Sequence, residues 1–377
     1  MYFCTMSMLD TIPEAIEAIR RGEVIIVVDD EDRENEGDFL IAARHATPEV
    51  VNFMATHGRG LICAPLIESR CDELDLDLMV QTNNAAFETP FTVSVDLMGH
   101  GCTTGISAQD RSKTIQALID PKTDPNELGR PGHIFPLRAK PGGVLRRAGH
   151  TEAAIDFSRL AGFEPAGVIV EIMNEDGTMA RLPECRTLAN EHGLKLVSIA
   201  DLIQYRLANE TLIERTLELK IETAFGTFNA IAFRQLTNDV EHLALTLGEW
   251  DESEDVPVRV HSSSMLGDVF QMTNFGKGPE LHAAMRQIQH QGKGAIVCIN
   301  KLDEGRSLFE ELKTYKKLQA TPHESEKHSM DSKDYGIGAQ IIRNLGIRRL
   351  HILSDHPRKK GIIGYGLEIT GTTPLSL

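Results

Sequence analysis

The chain has no run of about 18 apolar residues, so a membrane-spanning helix is not expected. Its first residues, MYFCTMSMLD, lack a basic leader followed by an apolar core, and no secretory signal is expected of them. The six cysteines, Cys4, Cys63, Cys71, Cys102, Cys185 and Cys298, lack paired spacing. Reduced thiols in a cytoplasm fit that scatter better than a disulfide framework. Positive charge is in deficit: 39 Lys and Arg against 55 Asp and Glu leave a formal charge of -16. Phosphate backbones need a basic face, so no nucleic-acid partner is expected, although a local basic pocket for a small phosphate is compatible with this balance. No period of 20 to 50 residues recurs, which excludes a repeat array.

What is present reads as a soluble globular protein. With 41% hydrophobic and 25% charged residues over 377 positions, the chain is long enough for two ordinary domains, each with its own core. A helical pattern from Asp201 turns into an alternating strand pattern with no Pro or Gly before Gly226, placing the boundary at about residues 206 to 212. The expected domains are 1–206 and 207–377. Strand-like runs (EVIIVVD, LICAPL, FTVSVDL, GVIVEIM) alternate in the first half with helical ones (IPEAIEAIRRG, TPEVVNFMATHG, TEAAIDFSRLAG). VPVRVHS, AIVCIN and RRLHILSD alternate with PELHAAMRQIQHQG and DYGIGAQIIRNLG in the second. The fold class expected is α/β (α+β), two domains, each a mixed sheet layered with helices.

Residues 29 to 38, DDEDRENEGD, hold seven carboxylates and one arginine between the apolar runs VIIVV and FLIAA. A solvated turn is the plain alternative. A chain that re-enters the core at once leaves little room for seven repelling carboxylates without a cation among them. A calcium loop fails, because aligning Asp32, Glu34, Glu36 and Gly37 with its positions 1, 3, 5 and 6 puts Ala43 where a bidentate Glu belongs. A magnesium-like site, with one or two protein ligands and the rest shared with water and substrate, remains.

Residues 130 to 157, RPGHIFPLRAKPGGVLRRAGHTEAAIDF, are expected to be irregular through Gly149, because Gly and Pro recur before the helix that Thr151 can cap. His133, Arg138, Arg146, Arg147 and His150 crowd this stretch, and a helix start behind arginines suits a phosphate or polyol. Glu171 interrupts the apolar strand GVIVEIM; burial there would raise its pKa into the range of acid–base catalysis, whereas an edge strand would leave it exposed.

DDEDRENEGDFLIAA, HGRGLICAPL, GCTTGISAQDR, the 130–162 block and GVIVEIMNEDGTMARLPE resemble, in order and spacing, 3,4-dihydroxy-2-butanone 4-phosphate synthase of riboflavin biosynthesis, over roughly residues 8 to 206. The resemblance implies a cytoplasmic homodimeric lyase. It would convert D-ribulose 5-phosphate into L-3,4-dihydroxy-2-butanone 4-phosphate and formate with Mg²⁺ (or Mn²⁺). It implies Glu34 and His150 as metal ligands and His133 and Glu171 as catalytic residues. Arg33, Glu34, Asp38, Arg147, Ala148, Gly149, His150, Thr151 and Glu171 would contact the sugar phosphate. A non-enzymatic metal- or nucleotide-binding regulator is the alternative.

RVHSSSMLGDVF, GPELHAAMRQI, EGR at 304 to 306, DYGIGAQI and HPRKKGIIGYGLEI resemble GTP cyclohydrolase II, whose zinc sits on three cysteines. Here those positions read Ser264, Phe275 and Lys277, and Cys298 is the only cysteine after residue 207. The family's reactive Arg is replaced by Lys333, while Asp331 remains. Zinc and cyclohydrolase activity are therefore expected to be absent. A substitute ligand set of His261, His282 and Asp268 is the competing reading. Arg259, His261, Glu304 and Arg306 match GTP-contacting positions, which leaves residual nucleotide binding or a supporting role for this half open.

Overall fold

Uninterrupted apolar runs of four or five residues predict strands buried on both faces. In a computed structural model, which describes residues 8–31, 33–85, 87, 89–271, 278–300, 312, 332–355 and 367–375, the chain divides into two units, Met1–Tyr205 and Arg206–Leu377. Each unit is built on a seven-stranded mixed sheet with helices, the α/β architecture expected. Among the described residues no helix is long and apolar enough to cross a membrane.

The strands of the first unit are β1 (Ile25–Val28), β2 (Gly37–Ala42), β3 (Cys63–Ile67), β4 (Val95–Leu97), β5 (Leu128–Ala139), β6 (Gly167–Glu171) and β7 (Lys195–Ser198). Their order is β4-β5-β3-β6-β2-β1-β7. The helices are α1 (Ile12–Arg20), α2 (Pro48–Gly58), α3 (Glu68–Glu73), α4 (Ala108–Ile119), α5 (His150–Leu160), α6 (Leu182–His192) and α7 (Ile199–Asn209), the last leading into the second unit. All residues of β1 and β2 are buried because helices cover both faces. On one face Phe39 packs on Phe53 of α2, ring centroids 5.4 Å apart. On the other, α5 lies so close to β6 that a Cβ on Gly167 would collide with Ala154.

Two registers position the site. β1 and β2 are antiparallel and Val28 pairs with Gly37, so the acidic stretch closes a hairpin. β2 and β6 are antiparallel and pair Asp38 with Glu171. Residues opposite each other in register project to the same face, here the one that α5 covers.

Two expected elements differ. FTVSVDL contributes only Val95–Leu97 as a strand, with Phe91 and Thr92 in isolated bridges to Leu137 and Leu78. The Gly/Pro-rich stretch expected to be irregular instead supplies the twelve-residue strand β5. Proline removes a donor but keeps its acceptor, and the Pro136 carbonyl accepts from Thr92 N at 3.0 Å. Gly132 lies against the Val95 and Asp96 backbone where a Cβ would collide, beside a register shift in the β4–β5 pair. A bulged strand next to the sheet edge satisfies the same composition that reads as a loop.

The second unit has strands β8 (Ile213–Thr223), β9 (Gly226–Gln235), β10 (Glu241–Leu247), β11 (Asp255–Ser262), β12 (Gly294–Ile299), β13 (Arg349–Leu353) and β14 (Glu368–Thr373), ordered β14-β13-β11-β12-β10-β9-β8. Helix α8 (Gly278–Gln291) brings Ala284 and Ile288 into a core with Phe228, Ala230, Leu245 and Ile296; α9 (Ser332–Asn344) completes the described helices. His261 on β11 pairs in register with Cys298 on β12.

Candidate active site

Closing a hairpin with an eight-residue acidic loop requires something to gather its backbone amides. Asp29 does this. Its side chain is shut off from solvent; Oδ1 accepts from Glu36 N at 2.8 Å, and Oδ2 accepts from Glu34 N at 3.2 Å and Arg33 Nη1 at 2.7 Å. The second guanidinium nitrogen of Arg33 reaches Glu34 Oε1 at 2.8 Å. Glu34 is thereby turned so that its other oxygen, Oε2, faces His150 Nδ1 at 3.9 Å. Asp32 lies outside the described residues.

His150 opens α5 and is buried. Its Nε2 lies 3.1 Å from the Val27 carbonyl, which can only accept, so Nε2 carries the proton and Nδ1 keeps its lone pair. Burial pushes the His150 pKa down, with Asp29 and Glu34 pulling the other way. One ligand atom each from Asp29, Glu34 and His150 lie within 4.8 Å of one another. Asp38 Oδ1 stands 3.8 Å from the same Nδ1, buried and without a hydrogen-bond partner. Burial raises the Asp38 pKa far above the carboxylate range, and Glu171, Glu34, Glu36 and Asp29 add to the effect. A buried orphan oxygen, two further carboxylates and a neutral imidazole form a donor set that fits a hard divalent cation.

Glu171 ends β6 beside Asp38. Its Oε2 accepts from Leu61 N at 2.8 Å, and Gly60 leaves the space it occupies, since a Cβ there would meet the Glu171 carboxylate and carbonyl. Burial raises its pKa, with backbone amides lowering and Glu34 raising it. Two residues along from the Cys63–Phe135 and Cys63–Ile169 pairings, His133 falls at the same end of the sheet as Glu171. β3 lies between their strands, two strand spacings of about 10 Å in all. His133 holds Asp96, Nδ1 to Oδ2 at 2.6 Å and backbone N to Oδ1 at 2.9 Å, with its ring half exposed.

The basic segment is pinned by buried carboxylates of α5. Glu152 accepts from Arg147 Nη1 at 2.8 Å and Lys140 N at 3.1 Å, and Asp156 accepts from Val144 N at 2.8 Å. Thr151 does not cap the helix. Gly149 stands at that position with no side-chain cap, and Thr151 is buried in the first turn. The helix begins two residues earlier than a Thr cap would allow, and Ala153 N donates to the Gly149 carbonyl at 3.0 Å. Gly149 is buried and Ala148 half-buried. Arg147 Nη2 donates to the Phe87 carbonyl at 3.1 Å, and the Arg33 guanidinium lies 5.3 Å from the Phe87 ring centroid. Phe87 therefore joins the acidic hairpin to the basic segment.

Asp29, Asp96 and Phe87 were not singled out by sequence. The buried first position of an acidic hairpin loop is a usable signal for Asp29. Asp96 and Phe87 depend on pairings that no local pattern carries.

In the second unit, His261 Nε2 meets Asp268 Oδ2 at 2.9 Å, and the same oxygen accepts from Ser264 N at 2.9 Å. Ser264 Oγ accepts from Gly267 N at 3.1 Å, Arg259 pairs with Glu280, and His282 stacks on Phe225 at 4.9 Å. Burial pushes the Cys298 thiol up to about 12. Among the described residues, only Asp29, Glu34 and His150 form a group of three ready to hold a metal. Phe275, Lys277, Glu304, Arg306, Asp331 and the Lys333 side chain lie outside the described residues.

Residues 13–205 match the family described as 3,4-dihydroxy-2-butanone 4-phosphate synthase, and residues 214–374 match GTP cyclohydrolase II. The chain is 57% identical over 376 residues to the riboflavin biosynthesis protein RibBA of Cytophaga hutchinsonii, covering 98% of this chain and 93% of the relative. It is 51% identical to the protein of the same name from Bacillus subtilis, covering 98% and 94%. Among solved structures, a two-domain 3,4-dihydroxy-2-butanone 4-phosphate synthase from A. baumannii, RibBX, superposes with a TM-score of 0.77 at 39% identity, covering 98% and 100%. A 3,4-dihydroxy-2-butanone 4-phosphate synthase in complex with two magnesium ions matches at 45% identity and TM-score 0.50, covering 52% and 96%.

Proposed function

Since the chain belongs to the 3,4-dihydroxy-2-butanone 4-phosphate synthase family of riboflavin biosynthesis, a lyase family, and continues into a GTP cyclohydrolase II-family half, we propose that residues 1–206 act on D-ribulose 5-phosphate with Mg²⁺ and that residues 207–377 have lost the zinc reaction. The products are L-3,4-dihydroxy-2-butanone 4-phosphate and formate, four carbons and one from five.

The observation that carries the first part is Asp38 Oδ1, a buried oxygen with no partner, 3.8 Å from the free nitrogen of His150. Glu34 and His150 would hold the ion, which when bound supplies Lewis acidity to adjacent sugar oxygens. Mg²⁺ and Mn²⁺ both suit an oxygen-rich set. The uncapped start of α5, behind Arg147, supports a phosphate there, held by the segment Arg147 to Thr151 with Arg33 and Asp38 on the sugar. Glu171, raised by burial, supports removal of the proton next to the ketone and its later return. His133, oriented by Asp96, presents its other ring nitrogen for a transfer at a different oxygen. The reading includes a cytoplasmic homodimer, which sedimentation and cell fractionation test. Incubation with ribulose 5-phosphate, with and without Mg²⁺ or Mn²⁺, should release formate only with metal. Absence of formate under both ions would return the acidic hairpin to a non-enzymatic cation site.

For the second half, Ser264 stands where a thiolate is needed, and Cys298 is half-buried in a strand with its thiol pKa pushed up. His261, Asp268 and His282 do not gather into a group of three that could hold a metal among the described residues, which supports the loss, whereas Asp268 Oδ1 and His261 Nδ1, buried without hydrogen-bond partners, favour the substitute set. The A. baumannii relative, described as a two-domain synthase, lends support. The retained Arg259 and His261 favour the competing bifunctional reading with residual GTP turnover. Stoichiometric zinc together with formate from GTP would establish that competitor.

A further inference from the structure

Arg181 lies ten residues beyond Glu171 in sequence and takes no part in the chemistry above. The strand carrying Glu171 runs into a turn tied by the Met173–Met179 bridge and by Ala180 N donating to Ile172 O at 2.9 Å. This returns the chain to the acidic hairpin. There Arg181 Nη1 donates to the Glu34 carbonyl at 2.8 Å and also to the Asn35 carbonyl. Its own backbone is fixed at the start of α6 by Glu184, whose Oε2 accepts from Arg181 N at 3.0 Å.

Two successive carbonyls converging on one point repel unless a donor sits between them. Asn35 is left-handed at φ +55°, a turn conformation that Asn tolerates better than other non-glycine residues, and it aims the Glu34 and Asn35 carbonyls toward the same guanidinium. Asp29 grips the hairpin from the opposite side through Glu34 N and Glu36 N. The Glu34 backbone is thus held at its N–H by a carboxylate and at its C=O by a guanidinium, and these two holds, one on each side of its Cα, set the direction of the side chain.

We infer that Arg181 is a positioning residue for the lyase reaction, clasping the Glu34 and Asn35 carbonyls so that the Glu34 carboxylate meets His150. This rests on the reading of Glu34 and His150 as cation ligands. It adds that cation affinity is governed by a residue that does not touch the ion.

The test is Mn²⁺ binding to the full chain followed by electron paramagnetic resonance, alongside formate release against Mg²⁺ concentration and thermal melting. Arg181→Met should weaken Mn²⁺ binding and raise half-saturating Mg²⁺ by about tenfold, the effect usual for outer-shell supports of a metal site. The maximal rate should largely return at saturating Mg²⁺. Arg181→Lys, which keeps charge and donors, should fall between Met and wild type. Wild-type Mn²⁺ affinity and Mg²⁺ dependence in both variants, with only the melting temperature lowered, would overturn the inference. If the Met variant does not fold, the Lys variant and Arg181→Gln are measured in the same way, and wild-type metal binding in both overturns the inference equally. Glu34→Gln separates the two ideas. Unchanged Mn²⁺ affinity in that variant defeats the ligand reading itself, whereas weakened binding there and none in the Arg181 variants defeats only the inference about Arg181.

Discussion

Asp38 and Glu171 are register partners across the antiparallel strands β2 and β6, so two carboxylates project side by side from the centre of a sheet beneath α5. Neither position is comfortable for a charge. Burial is the leading cause of the raised pKa at both. The pairing places one proton-accepting group next to the oxygen that calls for a cation. Glu171→Gln, which keeps shape and removes the base, should abolish formate release while leaving sugar-phosphate binding intact in a calorimetric titration. Retained turnover would remove Glu171 from its role.

Gly60 provides the room for that carboxylate. Gly60→Ala puts a methyl group against the Glu171 carboxylate and carbonyl, so one of them must shift. Displacements near 1 Å in a catalytic group can cost on the order of 100-fold in rate. A loss of that size in kcat, with the fold retained by circular dichroism, is the expected outcome.

Asp29→Asn replaces an acceptor of three hydrogen bonds by an amide with one acceptor oxygen. At least one hairpin amide or the Arg33 guanidinium then loses its partner in a site shut off from solvent. A loss of about 2 kcal/mol in urea unfolding is expected. Mn²⁺ binding should weaken roughly tenfold in the same variant.

His242 is expected to make the second unit sensitive to acid. Its Nε2 meets Gln235 Oε1 and its Nδ1 accepts from Asn300 N, both at 3.1 Å, so the folded ring is neutral on both sides. Burial lowers its pKa from 6.5 to about 4. Between those values the unfolded chain binds the proton more readily. Stability is therefore full above pH 6.5 and falls as pH drops toward 4, by about 3 kcal/mol. Urea unfolding as a function of pH should show that slope, and His242→Gln should flatten it.

Restoring the three missing thiols tests the second unit from the opposite direction. A Ser264→Cys, Phe275→Cys and Lys277→Cys triple variant should raise bound zinc from near zero to about one ion per chain. Equal zinc in wild type and variant would show that another ligand set already operates.

Strong local signals carried most of the fold. The runs VIIVV and FLIAA are the paired strands β1 and β2, and the acidic stretch between them closes their hairpin. Local signals misled where a residue type has two uses. Pro131, Gly132 and Pro136 read as a loop yet lie in β5, because carbonyls still pair and a missing Cβ lets another backbone approach. In the site, Glu34 and Asp38 were legible as acids between apolar runs, Glu171 as a carboxylate in an apolar strand and His150 as part of a Gly-rich basic segment; Glu34 and Asp38 lie beside His150, and Asp38 pairs in register with Glu171. His133 is paired with Asp96. Asp96 and Arg181 were illegible because their partners lie 37 and about 147 residues away, distances over which a single sequence carries no pairing information.

Arg33 spans Asp29 and Glu34 at 2.7 and 2.8 Å, using one oxygen of Glu34 and leaving the other toward His150. It is a resident counter-ion. Because Arg33 cancels part of the hairpin's repulsion from within the chain, the loop can hold its shape before any metal arrives. Stripping with a chelator should therefore leave a folded apoprotein that reloads on dilution into Mg²⁺.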